Sequence, residues 1–181
     1  DYPVAILEDI VNKFKTVPRD QYILLIDGVE NIIPQCTRYR VLNKAEQLRK
    51  HGFAVKVVNL SDFQLSVAQN ASHIIIYRSP ISPELLRLCH LAKEYGKPVF
   101  FDIDDLVFDT VYTDQLSYTQ GLNSVEKGNY DAGVRNYGYM LENCDGAITS
   151  TNQLQEELYK YQSKVLLNRN LASDELIAIS S

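Results

Sequence analysis

The sequence has few cysteines, no long apolar run and no stretch of basic residues. Its three cysteines, Cys36, Cys89 and Cys144, are odd in number and far apart, which fits neither a disulfide framework nor a zinc site and favours a reducing, cytoplasmic setting. The longest apolar runs are a few residues long, far short of a membrane-spanning helix. A net charge of −5 without a basic cluster argues against nucleic acid as the main partner.

Length and composition suit one soluble domain with a full-sized core. The chain has 181 residues, of which 45% are apolar and 23% are charged. Its three histidines are scattered without the spacing of metal ligands, and the sequence shows no internal repeat. We therefore expect an ordinary globular protein that holds no metal.

Strand-like and helical patterns alternate along the chain. The predicted strands cover residues 22–26, 53–58, 73–77, 99–101, 146–149 and 165–167, and the predicted helices cover residues 3–15, 38–51, 61–68, 82–95, 131–143 and 153–161. This alternation predicts a doubly wound, mainly parallel sheet of the Rossmann-like α/β class, with helices on both faces. The tyrosine-rich stretch 110–129 shows no clear period and is predicted to be irregular, either as a functional segment or as a flexible excursion without a function.

Three carboxylates stand where the fourth predicted strand ends. The apolar run from Val99 to Phe101 leads directly into Asp102, Asp104 and Asp105. In an open α/β sheet this edge is where ligands bind. Crowded acids repel one another, so a cation, a substrate hydroxyl or nearby arginine and lysine side chains must offset their charge. The alternative is that these acids cap turns and accept hydrogen bonds from loop amides.

Three arginines are predicted to lie at the same edge of the sheet. Arg38 and Arg40 fall in the first turn of the predicted helix 38–51, where the helix dipole disfavours cations. Arg78 follows the third predicted strand. Their positions suggest a nearby anion, which is either a substrate group or the acids around Asp104. The alternative is that they are solvated surface arginines.

Four segments together resemble one enzyme family. They are RYRV at 38–41 with Leu48 and Gly52, FDIDDLVFD at 101–109, CDGAITST at 144–151, and the run 165–170. In this order and spacing they resemble the amino-terminal lobe of bacterial retaining GT-B glycosyltransferases of the group 1, family 4-like type. The chain lacks a glycine-rich phosphate cradle after its first strand, and Arg169 stands where the family usually has proline.

The resemblance implies a division of the chain and a function. Residues 1–18 would be a helix or linker from an upstream region, 19–170 the acceptor-side lobe, and 171–181 the start of a connection to a donor lobe, with Asn170 at the hinge. Such a lobe binds a glycan acceptor, and the partner lobe supplies most contacts to a nucleotide-sugar co-substrate. The isolated lobe would not catalyse transfer. The resemblance implies no other cofactor and allows peripheral membrane association of the full-length protein.

Candidate site residues follow from the same resemblance and from the position of the charged groups. The expected catalytic residues are Asp104 and Asp105. The expected substrate-binding residues are Arg38, Arg40, Arg78, Asp102, Ser150 and Thr151.

Two other functions fit parts of the sequence. The pair Asp102 and Asp104, separated by one residue after an apolar strand, resembles the nucleophile motif of magnesium-dependent haloacid-dehalogenase-like phosphatases. In that family the usual threonine stands where this chain has Leu106. A non-catalytic, doubly wound regulatory module is the second alternative, since acids also cluster after strands in such domains.

Overall fold

A six-stranded, entirely parallel sheet forms the centre of the protein. The computed structural model describes residues 21–170, in which the strand order is β2-β1-β3-β4-β5-β6. The strands are β1 (Tyr22–Asp27), β2 (Val55–Asn59), β3 (Ala71–Tyr77), β4 (Val99–Asp102), β5 (Gly146–Thr149) and β6 (Val165–Leu167). The predicted α/β fold is confirmed. The predicted helix 3–15 and the segments 1–18 and 171–181 lie outside the described residues.

The helices and helical turns connect successive strands. The α-helices are α1 (Pro34–Cys36), α2 (Asn43–Lys50), α3 (Pro83–Glu94), α4 (Thr110–Thr113), α5 (Ser117–Gln120), α6 (Ser124–Glu142) and α7 (Asn152–Leu158). A π-helix, Thr37–Leu42, joins α1 to α2, and the predicted helix 61–68 is instead two 3₁₀ turns, Leu60–Asp62 and Leu65–Asn70. Within residues 21–170, no helix has the length and apolar character needed to cross a bilayer.

The prediction that residues 110–129 are irregular is wrong. This stretch contains α4, α5 and the first turn of α6. Asn123 and Glu126 form a capping box, in which each side chain accepts a hydrogen bond from the other residue's backbone N–H. That local signal starts α6 seven residues before the expected helix at 131.

The core has two layers because alternate strand residues face opposite sides of the sheet. Leu24 and Ile26 belong to the larger cluster, whereas Ile23 and Leu25 belong to the smaller one. The smaller cluster includes Val41 and Ala45, and thus lies under the helical segment that follows β1. The face of the sheet with the smaller cluster also carries the buried charges described below.

The helical segment after β1 begins four residues earlier than predicted. It starts with Pro34 in α1, so Arg38 and Arg40 do not lie in a first turn as expected. Its π-helical middle and the following α2 put Thr37, Arg40 and Lys44 in one buried stripe facing the sheet. π-Helical turns are rare and frequently mark functional sites.

Glycines in α6 offer a matched test of how this helix packs. A Cβ at Gly138 would lie 2.5 Å from the carbonyl oxygen of Phe108, whereas one at Gly133 would meet nothing within 4 Å. We expect Gly138→Ala to lower the free energy of unfolding by about 1–3 kcal/mol through overpacking. Gly133→Ala should raise it by about 0.5–1 kcal/mol, since alanine favours the helix. Urea unfolding measures the free energy of unfolding of both variants. Equal changes in the two variants would contradict this packing.

Candidate functional site

Three adjacent strands end in polar residues on the face of the sheet that carries the smaller core cluster. Asp27 of β1 pairs in register with Tyr77 of β3, and Tyr77 pairs with Asp102 of β4. All three are at most 1% exposed. Because alternate residues change face, these three side chains share the side of the sheet that carries the smaller core cluster. The carboxyl edge therefore carries a buried polar row under the helix.

Asp102 is held by two buried cations from the helix. The Nε and Nη2 atoms of Arg40 donate to its Oδ1 at 3.1 and 2.5 Å, and the Lys44 ammonium pairs with its Oδ2. The side chains of Asp102 and Arg40 are 0% exposed. Burial lowers the pKa of Arg40, and burial together with the Arg40 charge lowers the pKa of Lys44 well below its ordinary value.

The other arm of Arg40 reaches the chain that follows β6. Its Nη1 atom donates to the carbonyl oxygen of Asn168 at 2.6 Å and to Oδ1 of Asn170 at 3.1 Å. One guanidinium thus joins the helix, β4 and the segment expected to mark the hinge. This arrangement fixes where the chain leaves the sheet.

Asp27 and Tyr77 are satisfied in different ways. Asp27 accepts hydrogen bonds from the Val29 N–H at 2.9 Å and from the Thr37 hydroxyl at 2.8 Å. Tyr77 donates its hydroxyl proton to Asp104, whose two carboxylate oxygens lie 3.1 and 3.2 Å away. Burial, followed by the Asp104 charge, raises the pKa of Tyr77. Tyr77 therefore stays a donor and fixes the orientation of Asp104.

Arg78 is the counter-ion of the two outer acids. Its Nη1 atom lies 2.6 Å from Oδ2 of Asp105 and 3.7 Å from Oδ1 of Asp104. Its backbone is left-handed, with φ of 41°, and its N–H donates to the carbonyl oxygen of Asp102. Such a conformation is costly for a residue with a Cβ, and residues of this kind cluster at ligand sites.

Asp104 and Asp105 open into a pocket of about 250 Å³. The pocket lies between the ends of β4 and β5 and is lined by Asp104, Asp105, Leu106, Thr151, Gln153 and Leu154. Thr151 caps α7 by accepting the N–H of Leu154 at 3.2 Å. Three of the predicted site residues thus share one concave surface, which we call the acidic pocket.

The remaining predicted site residues have other positions. Arg40 and Asp102 were expected to bind substrate, but both are buried and bind each other, so they hold the site in place without presenting atoms to a ligand. Arg38 and Ser150 are half-buried, and Ser150 is not among the residues that line the acidic pocket. Arg78 is not among the residues that line the acidic pocket, but it contacts the two acids that do, Asp104 and Asp105.

Comparison with family models, curated proteins and solved structures gave no match for this chain. Among residues 21–170, no group of three or more histidine, cysteine or acidic side chains is arranged to hold a metal ion. The function of the acidic pocket must therefore be argued from its own geometry.

Two residues of the site, Lys44 and Tyr77, were not predicted from the sequence, although the position of each could have indicated it. Lys44 lies four positions after Arg40, which is the spacing of neighbours on one helix face. Tyr77 ends β3 as Asp102 ends β4, and adjacent parallel strands bring their ends together. Both signals need the register of the helix or the sheet, which the pattern of apolar residues did not provide.

The buried Lys44 predicts a pH dependence of stability. Its pKa in the folded protein lies below the ordinary value of 10.5, so above the folded pKa the unfolded chain binds a proton that the folded protein lacks. Stability then rises with pH in this window, up to about the unfolded pKa. We expect the stability of wild type relative to Lys44→Met to increase as the pH rises towards the ordinary lysine pKa of 10.5. A difference that is constant or falls in urea titrations would contradict the lowered pKa.

Proposed function

We propose that this domain is the acceptor-binding lobe of a glycosyltransferase and that the acidic pocket binds hydroxyl groups of a glycan. The observation that carries the proposal is the charge of the pocket: two carboxylates face it, and one arginine, Arg78, neutralises a single charge. The remaining negative charge suits neutral hydroxyl donors. It repels the phosphates of a nucleotide sugar.

The pocket combines two carboxylates with the hydroxyl of Thr151 and the amide of Gln153, beside an apolar border. Asp105 has a side chain that is 53% exposed, and only its Oδ2 contacts Arg78 in the described ion pair. Thr151 adds a hydroxyl, while Leu106 and Leu154 supply the apolar part of the lining. Carboxylates that accept from sugar hydroxyls, next to an apolar surface, form a common arrangement for orienting a polyol.

The usual nucleotide position in this fold is closed. Nucleotides bind at the switch point of the strand order, which here lies between β1 and β3. The N–H of Gly28 donates to the Tyr77 carbonyl oxygen, and the N–H of Val29 donates to Asp27, so neither amide is available to a phosphate. A Cβ at Gly28 would lie 2.7 Å from Arg78 and Ser79 backbone atoms, which shows how closely these loops pack. Donor phosphates would therefore bind outside this lobe.

Ligand binding by the chain tests the proposal. Saturation-transfer NMR with neutral di- and trisaccharides should show binding, whereas uridine and guanosine diphosphates should not bind in the acidic pocket. Asp105→Asn should weaken glycan binding at least tenfold, because a hydrogen bond to a charged group contributes about 1.5–3 kcal/mol. Asp114→Asn, an exposed acid paired with Lys127, is the matched control and should change nothing. Nucleotide binding in the pocket without glycan binding would reject the proposal.

The phosphatase alternative loses its nucleophile in this structure. Asp102 is completely buried, and both of its oxygens contact cations, so it has no open side from which to attack a phosphate. A regulatory module of the phospho-acceptor kind would need an accessible acid at a strand end. The acids that end β1 and β4, Asp27 and Asp102, are at most 1% exposed, and β3 ends in Tyr77. Labelling with a small phosphodonor that produced a stable acyl-phosphate would favour that module over a glycosyltransferase lobe.

A further inference from the structure

A second pocket lies at the opposite, amino-terminal edge of the sheet. It has a volume of about 270 Å³ and is lined by Lys93, Gly96, Lys97, Pro98, Asp145 and Lys164. These residues come from the end of α3 and from the positions just before β4, β5 and β6. The length of β4 separates this lysine pocket from the acidic pocket by roughly 13 Å, at about 3.3 Å per residue.

Basic residues from separate segments line the lysine pocket. Its lining contains three lysines and one aspartate, so positive groups outnumber negative ones in a chain whose total charge is −5. The Asp145 carboxylate also accepts the N–H of Val99 at 2.8 Å, so part of its hydrogen-bonding capacity is already used. Like charges brought together in one concavity repel one another unless an anion joins them.

Two of the three lysines are held in place by the fold. Lys97 is 9% exposed, and its ammonium donates to the carbonyl oxygens of Ala68 and Gln69. Lys164 places its ammonium 4.8 Å from the centre of the Phe100 ring, within the range of a cation–π contact. Fixed side chains lose less entropy on binding than mobile surface lysines do.

The helix dipole explains the position of one of the three lysines but not the positions of the other two. Lys93 lies in the last turn of α3, where a cation is favoured by the helix dipole. Lys164 precedes a strand and gains nothing from that dipole. Its position is set by the cation–π contact with Phe100, and both lysines line the same pocket.

We propose that the lysine pocket binds the phosphate group of a small phosphorylated ligand. In the proposed complex the exposed side chains of Lys93 and Lys164 contact the phosphate, while Lys97, whose ammonium is held by backbone carbonyl groups, contributes positive charge nearby. The volume suits a phosphate with a small substituent, since pockets for drug-sized ligands occupy about 300–1,000 Å³. This inference is independent of the glycan proposal, because the two pockets share no lining residue.

Titration of the chain with inorganic phosphate and pyrophosphate, followed by amide NMR, tests the site. We expect saturable shifts at Gly96 and Gly146, and a loss of affinity of at least about tenfold in Lys164→Gln and in Lys93→Gln. Lys160→Gln, an exposed lysine paired with Glu157 outside this pocket, is the matched control and should keep affinity within about twofold.

A second arm of the experiment separates two sources of phosphate. Vesicles that contain phosphatidylglycerol are compared with vesicles of phosphatidylcholine at matched ionic strength. Binding to the anionic vesicles that depends on Lys93 and Lys164, with no binding of free phosphate, would assign the phosphate to a lipid headgroup. The proposal is overturned if neither probe binds, or if chloride at equal ionic strength produces the same shifts, which would mean an adventitious ion only.

Discussion

Replacing Asp102 with leucine is expected to lower the free energy of unfolding by about 3–5 kcal/mol, because it leaves buried cations without their partner. Arg40 and Lys44 both contact this carboxylate, and their side chains are at most 5% exposed. Water cannot replace the lost acid without opening the helix from the sheet. Urea unfolding monitored by circular dichroism measures the effect.

The matched variants separate lost charge pairing from lost packing. Asp114→Leu removes an acid whose side chain is 55% exposed, and it should cost less than about 1 kcal/mol. The triple variant Asp102→Leu, Arg40→Met and Lys44→Met removes all three charges together, and it should recover much of the stability lost in the single variant. A triple variant less stable than Asp102→Leu alone would show that the charges stabilise the fold beyond satisfying one another.

In the full-length glycosyltransferase that the proposal implies, Asp104→Asn is expected to reduce turnover at least 100-fold, the lower end of what positioned acid–base groups contribute, about 10²–10⁴-fold. Asp104 is oriented by Tyr77 and Arg78 and faces the acidic pocket. Asparagine keeps the shape of the side chain and removes the charge, so folding should be retained. Steady-state transfer assays measure the effect.

Two observations check that result. Thermal melting of Asp104→Asn should stay within a few degrees of wild type, which ties the lost turnover to chemistry. Asp114→Asn, remote from the acidic pocket, should transfer at the wild-type rate. Unchanged turnover in Asp104→Asn would remove the catalytic role assigned to this acid.

The sheet could be predicted because each strand corresponds to a short, mainly apolar run in the sequence. Val99 to Asp102 and Gly146–Thr149 are buried on both faces, so their side chains are almost continuously apolar, and their boundaries agree with expectation to within one residue. The same strands end at one edge, which is why Asp104 and Thr151 could be expected to meet. The local sequence pattern and the geometry of a parallel sheet both place Asp104 and Thr151 at the carboxyl edge.

Which basic residue pairs with which acid could not be predicted, because that depends on helical register. A shift of one residue rotates a side chain by about 100° around an α-helix. With the helix beginning at Pro34 and widened by a π-helical segment, Arg40 enters the sheet side while its neighbour Tyr39 is 39% exposed. The arginines were expected to meet either a substrate group or the acids around Asp104, and Arg40 pairs with an acid of the protein itself, Asp102.

The contact between Arg40 and Asn168 joins distant parts of the chain, and this bears on folding during synthesis. The two residues are 128 positions apart, and Asp102 is 62 positions from Arg40. On the ribosome, the Nη1 atom of Arg40 must stay hydrated until Asn168 and Asn170 have emerged, because its acceptors belong to these two residues. Contacts between residues so distant in the chain slow folding, so we expect nascent chains stalled before residue 168 to be sensitive to protease.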